Sequence, residues 1–551
     1  MVATLVAVVS PAAVVLLGNG KGRTGMDRRY FLGLAGLGTM VGVGGLLASK
    51  SSVGQKSGDK ALSVGGSSAP SVVEIALKAT GAEVPLKRGR PTQVWQFQGT
   101  LLKGDPSSLQ ASAGSYLGPT IRVRRGQGLR VRFTNDLPEP TVVHWHGMHV
   151  PAVMDGHPSN TIAPRQSFVY EFDIKNRAGT YWYHAHPADR TGPQVYYGLA
   201  GLLIVSDDEE EKVGLPSGAF DVSLVLQDKT FDSNNQLVYL PGGMMDRMMG
   251  FLGDTVLVNG HPKFELPVSA TAYRLRLLNA SNSRIYKLAW SDGTPLTVIG
   301  TDGGLLEKPV ERKYVMLAPA ERVELWVDFS ALATGETKRL QSKAFSLPAV
   351  GMMGMMMSNA SLANGVALSI LTARVTAPGP AKRSLPAQLS RIKPLLASDS
   401  VNETAPRTFR PTMSRMSWQL NNRTFDMKDM TAVSEEETVR LNTQETWVFD
   451  NDPTIGGGMG MMAMMKMPHP MHLHGLQFQV VERQVSPGFQ GYWDTVSQGY
   501  VDEGWKDTVL VMPGERVKLR MRFEDYTGLF LYHCHNLEHE DAGMIRNYLV
   551  R

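Results

Sequence analysis

From residue 71 onward, apolar and polar residues alternate in short runs that are cut by Gly, Pro and Asn-Asp turns. A period of two predicts strands, and no stretch carries the longer period of an amphipathic helix. The runs 121–125 and 129–133 flank Gly126 and Gly128 like the arms of a hairpin. Similar runs begin at Tyr273 and Val517, and each has a second strand-like run to lie beside, at Val323 and Trp447. The segment from Gly179 to His186 resembles the one from Gly528 to His535, so the two ends of the chain echo each other. Repetition of this kind predicts consecutive Greek-key β-sandwich domains rather than one large sheet. The length of 551 residues allows about three or four of them. We place boundaries at 71–210, 215–378 and 400–551, with a Pro- and Ser-containing linker at 379–399. The expected fold class is all-β.

The N-terminal segment departs from this pattern. Arg28 and Arg29 precede an apolar, Gly-rich run that ends near Ala48, which reads as a twin-arginine export signal over residues 1–48. A single membrane anchor is the weaker reading, because the run is glycine-rich and only moderately long. Met26 is a candidate start, and residues 49–70 read as a flexible linker. Removing 1–48 takes away Lys21, Arg23, Arg28, Arg29 and Asp27, a net +3 of the total +5. The remaining charge is too balanced to imply nucleic acid or an anionic membrane surface as partner. The expected location is periplasmic or otherwise extracytoplasmic, with no stable membrane insertion after cleavage. The one cysteine, Cys534, forms no internal disulfide and is either a free thiol or a ligand.

Its neighbours favour a ligand. Cys534 lies between His533 and His535, with His539 and Met544 following at intervals of five. Thiolate, imidazole and thioether together suit a blue-copper site. On a strand, His533 and His535 face one way and Cys534 the other, so a zinc tetrahedron using all three cannot close. Of thirteen histidines, ten fall into four clusters around residues 144–146, 184–186, 469–474 and 533–539. Four His-X-His pairs (144/146, 184/186, 472/474 and 533/535) supply eight imidazoles for a cluster of metal ions. His469, Cys534, His539 and Met544 remain for a separate blue site. Four one-electron centres match the four electrons that take O₂ to water. His149, His157 and His261 read as surface or structural residues.

These four motifs, in this order, resemble those of the multicopper oxidases, a family of three cupredoxin domains. The resemblance covers nearly all of the chain after the signal. It implies four copper ions. Type 1 copper would lie on His469, Cys534, His539 and an axial Met544. Type 2 would lie on His144 and His472, and the type 3 pair on His146, His184, His186, His474, His533 and His535. It also implies a copper-free middle domain, and O₂ as the partner of a small reducing substrate. Asp155 and Glu540 match positions that relay protons to the oxygen-reducing cluster.

Methionine narrows the substrate. Clusters at 244–249, 352–357 and 459–467 have loop composition and no amphipathic period. Soft thioethers select Cu(I), and Met465 and Met467 lie just before His469. The family's copper-efflux oxidases carry similar inserts, which implies a cuprous oxidase serving copper tolerance. One departure stands out, because Lys466 precedes Met467 where those oxidases carry an acid. Asp246, Asp426 or Asp429 are candidates to supply it. A laccase acting on phenols or aromatic amines, an Fe(II) oxidase, and a periplasmic Cu(I) buffer are the competing readings.

Overall fold

The alternating runs form strands. In Val72–Val84 the side chains of Val73, Ile75, Leu77 and Ala79 are buried while their neighbours face outward. The computed structural model describes residues 71–348, 362–380, 383–414, 417–453 and 466–551. The signal, the flexible linker, and the methionines at 352–357 and 459–465 lie outside the described residues.

Strands group into three sets in chain order. The first set pairs a four-stranded sheet with a five-stranded one that contains Val143–His146 and Gly179–Ala185. The second pairs a seven-stranded sheet with a five-stranded one, and buries Leu275, Leu277, Trp290 and Leu325 between them. The third sets a four-stranded and a two-stranded sheet beside a five-stranded sheet that contains His469–Leu473 and Gly528–Cys534. Trp447, Phe523, Tyr532 and Tyr548 pack at its core. Burying each such ring contributes roughly 1.5–3 kcal/mol. The chain is thus all-β, built as three consecutive cupredoxin-like Greek-key sandwiches. The expected pairings of 273–278 with 323–327 and of 447–449 with 517–523 both occur, as antiparallel neighbours.

One expectation changes. Runs 121–125 and 129–133 are not hairpin partners. Thr120–Arg124 pairs parallel with Ala200–Ser206, while Gly128–Asn135 pairs parallel with Val72–Val84 in the opposite sheet. The turn at Gly126 therefore carries the chain across the sandwich, and period-two patterning does not distinguish such an arch from a hairpin. Part of the linker 379–399 packs against the sandwiches. Leu389 and Leu395 are buried, and Ser390 Oγ donates to the carbonyls of Leu305 and Leu306 at 2.9 Å. Among the described residues no helix is long and apolar enough to cross a membrane.

Candidate metal centres

Cys534 ends the strand Gly528–Cys534, and the next residues turn back on it. Asn536 caps the one-turn helix Leu537–Asp541, accepting from His539 N, while its own N–H donates to Cys534 Sγ at 3.4 Å. That turn returns His539 to the thiol. Met544 N then donates to His539 O at 2.9 Å, and Cys534 N donates to Met544 O at 3.1 Å. His469 arrives on the neighbouring strand. The Nδ1 atoms of His469 and His539 lie 3.4 and 3.8 Å from Cys534 Sγ. All four residues are buried, with Met248, Trp418 and Met467 packed around them. Burial pushes the thiol pKa up and brings the His469 imidazole down to about 3. The rings are therefore neutral, and the thiolate needs a cation beside it.

On the other face of the same strand the eight remaining cluster histidines converge. His144 pairs with His184 across one sheet, and His472 pairs with His533 across another. Most rings are held by one nitrogen. His144 Nδ1 donates to Asp155 O (2.7 Å), His472 Nδ1 to Asp507 O (2.8 Å) and His184 Nδ1 to Ala185 O (2.9 Å). His474 Nδ1 donates to Asp155 Oδ2 at 2.7 Å. The free edges then face each other. His474 and His533 bring their Nε2 atoms to 3.0 Å, and His144 and His472 to 3.5 Å. Imidazole edges meeting in a dry interior call for a cation between them. His146 Nδ1, His184 Nε2 and both nitrogens of His535 are buried without partners. Donor atoms within 4.8 Å of one another group as His144/His146/His184, as His144/His472/His474 and as His186/His474/His533. Burial foremost, with neighbouring histidines, holds His146, His184, His472, His474 and His535 well below the usual imidazole pKa. The donor chemistry fits copper, which heads the divalent affinity order on such ligands.

Three acids hold the rings. Asp155 bonds His474 and touches His144, and its Oδ1 has no hydrogen-bond partner. Glu540 lies 3.4 Å from His186 Nε2 and 3.2 Å from His533 Nδ1. Burial works to raise its pKa, but the adjoining His533 and His186, with hydrogen bonds from His533 and Thr191, hold it below the usual range. Asp507, absent from the sequence reading, accepts from His146 Nε2 at 3.0 Å through its side chain. Its one sequence signal is an acid directly before the apolar strand Thr508–Val511.

Glu540 also lines a cavity of about 370 Å³, with Met244, Met248, Met427 and Asp541. Met248 closes the thiol site, because its carbonyl accepts from His539 Nε2 (3.1 Å) and Trp418 Nε1 (3.0 Å). Sequence reading missed Trp418. Met467 is buried in the core rather than facing solvent, and its carbonyl accepts from Asn451. Met465 lies outside the described residues. Asp246, Asp426 and Asp429 each accept from nearby backbone N–H groups. Of the residual histidines, His157 is buried and bonded to Asn547 and Ser159, and His149 is bonded to Asp525 and Gln477.

A cupredoxin-type copper oxidoreductase is the class that fold and site define. Family models described as multicopper oxidase match residues 94–210 and 400–551. The chain is 31% identical to "Multicopper oxidase mco" of Staphylococcus aureus, over 80% of this chain and 84% of that one. It is 32% identical to a "Laccase" of Bacillus stratosphericus, over 80% and 90%. The crystal structure of McoA multicopper oxidase from Aquifex aeolicus superposes with a TM-score of 0.72 at 31% identity, covering 88% of this chain and 98% of that chain. The chain belongs to the multicopper oxidase family and is a copper-dependent oxidoreductase with O₂ as acceptor.

Proposed function

We propose that this protein is an exported cuprous oxidase that couples oxidation of Cu(I) to reduction of O₂ to water and so serves copper tolerance. In this reading His469, Cys534, His539 and Met544 hold type 1 copper. His144 and His472 hold type 2. His146, His184, His186, His474, His533 and His535 hold the type 3 pair. Bound there, the four coppers supply one-electron acceptance from substrate and four-electron delivery to O₂. The chain supplies the connection, since Cys534 and its flanking histidines join the two sites through a few covalent bonds. Asp155 and Glu540 relay protons to the oxygen-reducing site in this reading. Glu540 is the better placed of the two for delivery, because it also borders the cavity.

The observation that carries the Cu(I) substrate is the cover over His539. Its outer nitrogen is bonded to the Met248 carbonyl, and the adjoining cavity is lined by Met244, Met248 and Met427. A phenol needs an open aromatic slot at that edge, whereas a soft cation needs thioethers. The substrate site is therefore drawn around these three residues, with Met465 and Met467, which precede His469 in sequence, kept as further Cu(I) candidates. The laccase relative favours the second reading, oxidation of phenols or aromatic amines. Arg28 and Arg29 support export by the twin-arginine route.

Steady-state O₂ uptake by copper-loaded protein separates the two. The expected outcome is faster turnover with Cu(I) than with phenols, lost when Met244, Met248 and Met427 are replaced by Leu. Phenol turnover that rises in that variant, with no Cu(I) turnover in the parent, overturns the proposal.

A further inference from the structure

We infer that Arg322, together with Asp302, is a positioning residue that reaches from the middle sandwich, through Asp507, to two of the proposed copper ligands. This rests on the ligand assignment above and assigns the middle domain a part in it. Arg322 is fully buried and every guanidinium donor is used. Nε donates to Thr180 O at 2.9 Å, and Nη1 donates to Ala320 O at 3.0 Å and Asp507 Oδ1 at 2.7 Å. Nη2 donates to Asp302 O at 3.0 Å and to Asp507 Oδ2. One side chain thus ties the strand that carries His184 to the segment that holds His472. Asp302 fixes the backbone from the other side. Its Oδ1 accepts from Arg322 N at 2.7 Å, and its Oδ2 from the N–H groups of Asp507 (3.3 Å) and Thr508 (3.4 Å).

The consequence falls on ring orientation. With Asp507 clamped, Oδ1 is in place for His146 Nε2 at 3.0 Å, which leaves Nδ1 of that ring turned inward without a partner. His144, His184, His472 and His474 are held the opposite way, by Nδ1. The Asp507 carbonyl does this for His472. Gly147, which follows His146 with φ +80°, leaves the clamp its space, because a Cβ there would run into Asp507 Oδ2 and Arg322 Nη2. A lysine has no planar fork and cannot span these acceptors. Such partners behind a ligand fix its tautomer and tune metal affinity.

The test uses full-length, copper-loaded protein and the variants R322M, R322K and D302N. R274M serves as a matched control, because Arg274 is equally buried and pairs with Glu210 and Glu324 at the same junction without touching Asp507. In R322M and D302N the blue type 1 band is expected to persist while the type 2 paramagnetic signal is lost. Type 2 copper affinity against a chelator should fall about 10–100-fold. R322K should not restore it, and R274M should lower Tm while keeping the signal. Full type 2 signal in both R322M and D302N overturns the inference, as does equal loss in R274M. A parent protein with neither the blue band nor a type 2 signal overturns the copper-ligand reading instead.

Discussion

The thiol site and the histidine nest lie back to back on one strand, yet they are built in opposite ways. Around Cys534 the chain is apolar. Trp418, Met248, Met467 and Met544 enclose it, and the polar contacts to sulfur come from His469, His539 and the Asn536 N–H. Around the nest, rings are anchored by acids or carbonyls, with Asp155, Asp507 and Glu540 all buried against imidazoles. A dry site with few dipoles suits electron transfer, since little has to reorganise when charge moves. A site ringed by carboxylates suits a reaction that consumes protons. The division of labour is therefore written in the surroundings as much as in the ligands.

Removing the thiol breaks the contrast most severely. Cys534→Ser is expected to abolish the blue band and lower O₂ uptake by orders of magnitude while the nest keeps its copper, as measured by metal content and absorption. Next come the acids. Asp155→Asn and Glu540→Gln should retain the blue band and slow turnover about 10²–10⁴-fold, the usual worth of a placed acid–base group. The loss should sharpen as pH rises and solvent protons become scarce. A pH–rate profile unchanged in both variants would mean that the acids only orient rings. A smaller effect belongs to the cover. Met248→Leu leaves the carbonyl on His539 in place, so it should raise KM for Cu(I) several-fold and barely move kcat.

The smallest effect concerns the metal-free protein. His469 sits near pKa 3 in the folded chain, against about 6.5 when unfolded. Its contribution to stability is complete above the unfolded value. As pH falls from about 6.5 toward 3, the unfolded state takes up a proton that the native state does not, so stability declines through that window. Thermal melts of the metal-free chain across this range should show Tm falling with acidity, and a smaller fall in a His469→Phe variant.

Much of this layout was legible in the sequence, because both sites depend on short-range spacing. His-X-His on a strand and the return from Cys534 to His539 and Met544 are local facts that a linear reading captures. What was not legible is long-range. Nothing adjacent to Asp507 announces that it meets His146 from 361 residues away. Nor does the helix Met244–Met249 reveal that its carbonyl meets His539. The supposed hairpin at Gly126 fails for the same reason, since its strands pair with residues far along the chain. The middle sandwich read as copper-free because it lacks histidine clusters, while the part inferred for it lies in Arg322 and Asp302, residue types that carry no metal signature.

In the proposed function, one chain oxidises Cu(I) at the thiol side and passes the electrons to O₂ at the nest. This coupling is tested most directly by measuring Cu(I) consumed, O₂ consumed and peroxide formed together, in copper-loaded protein supplied with Cu(I) under a chelator that holds the product Cu(II). Four Cu(I) oxidised per O₂ with no peroxide is the expected result. Two Cu(I) per O₂ with stoichiometric peroxide, or Cu(I) bound at the methionines with no O₂ uptake, would contradict it.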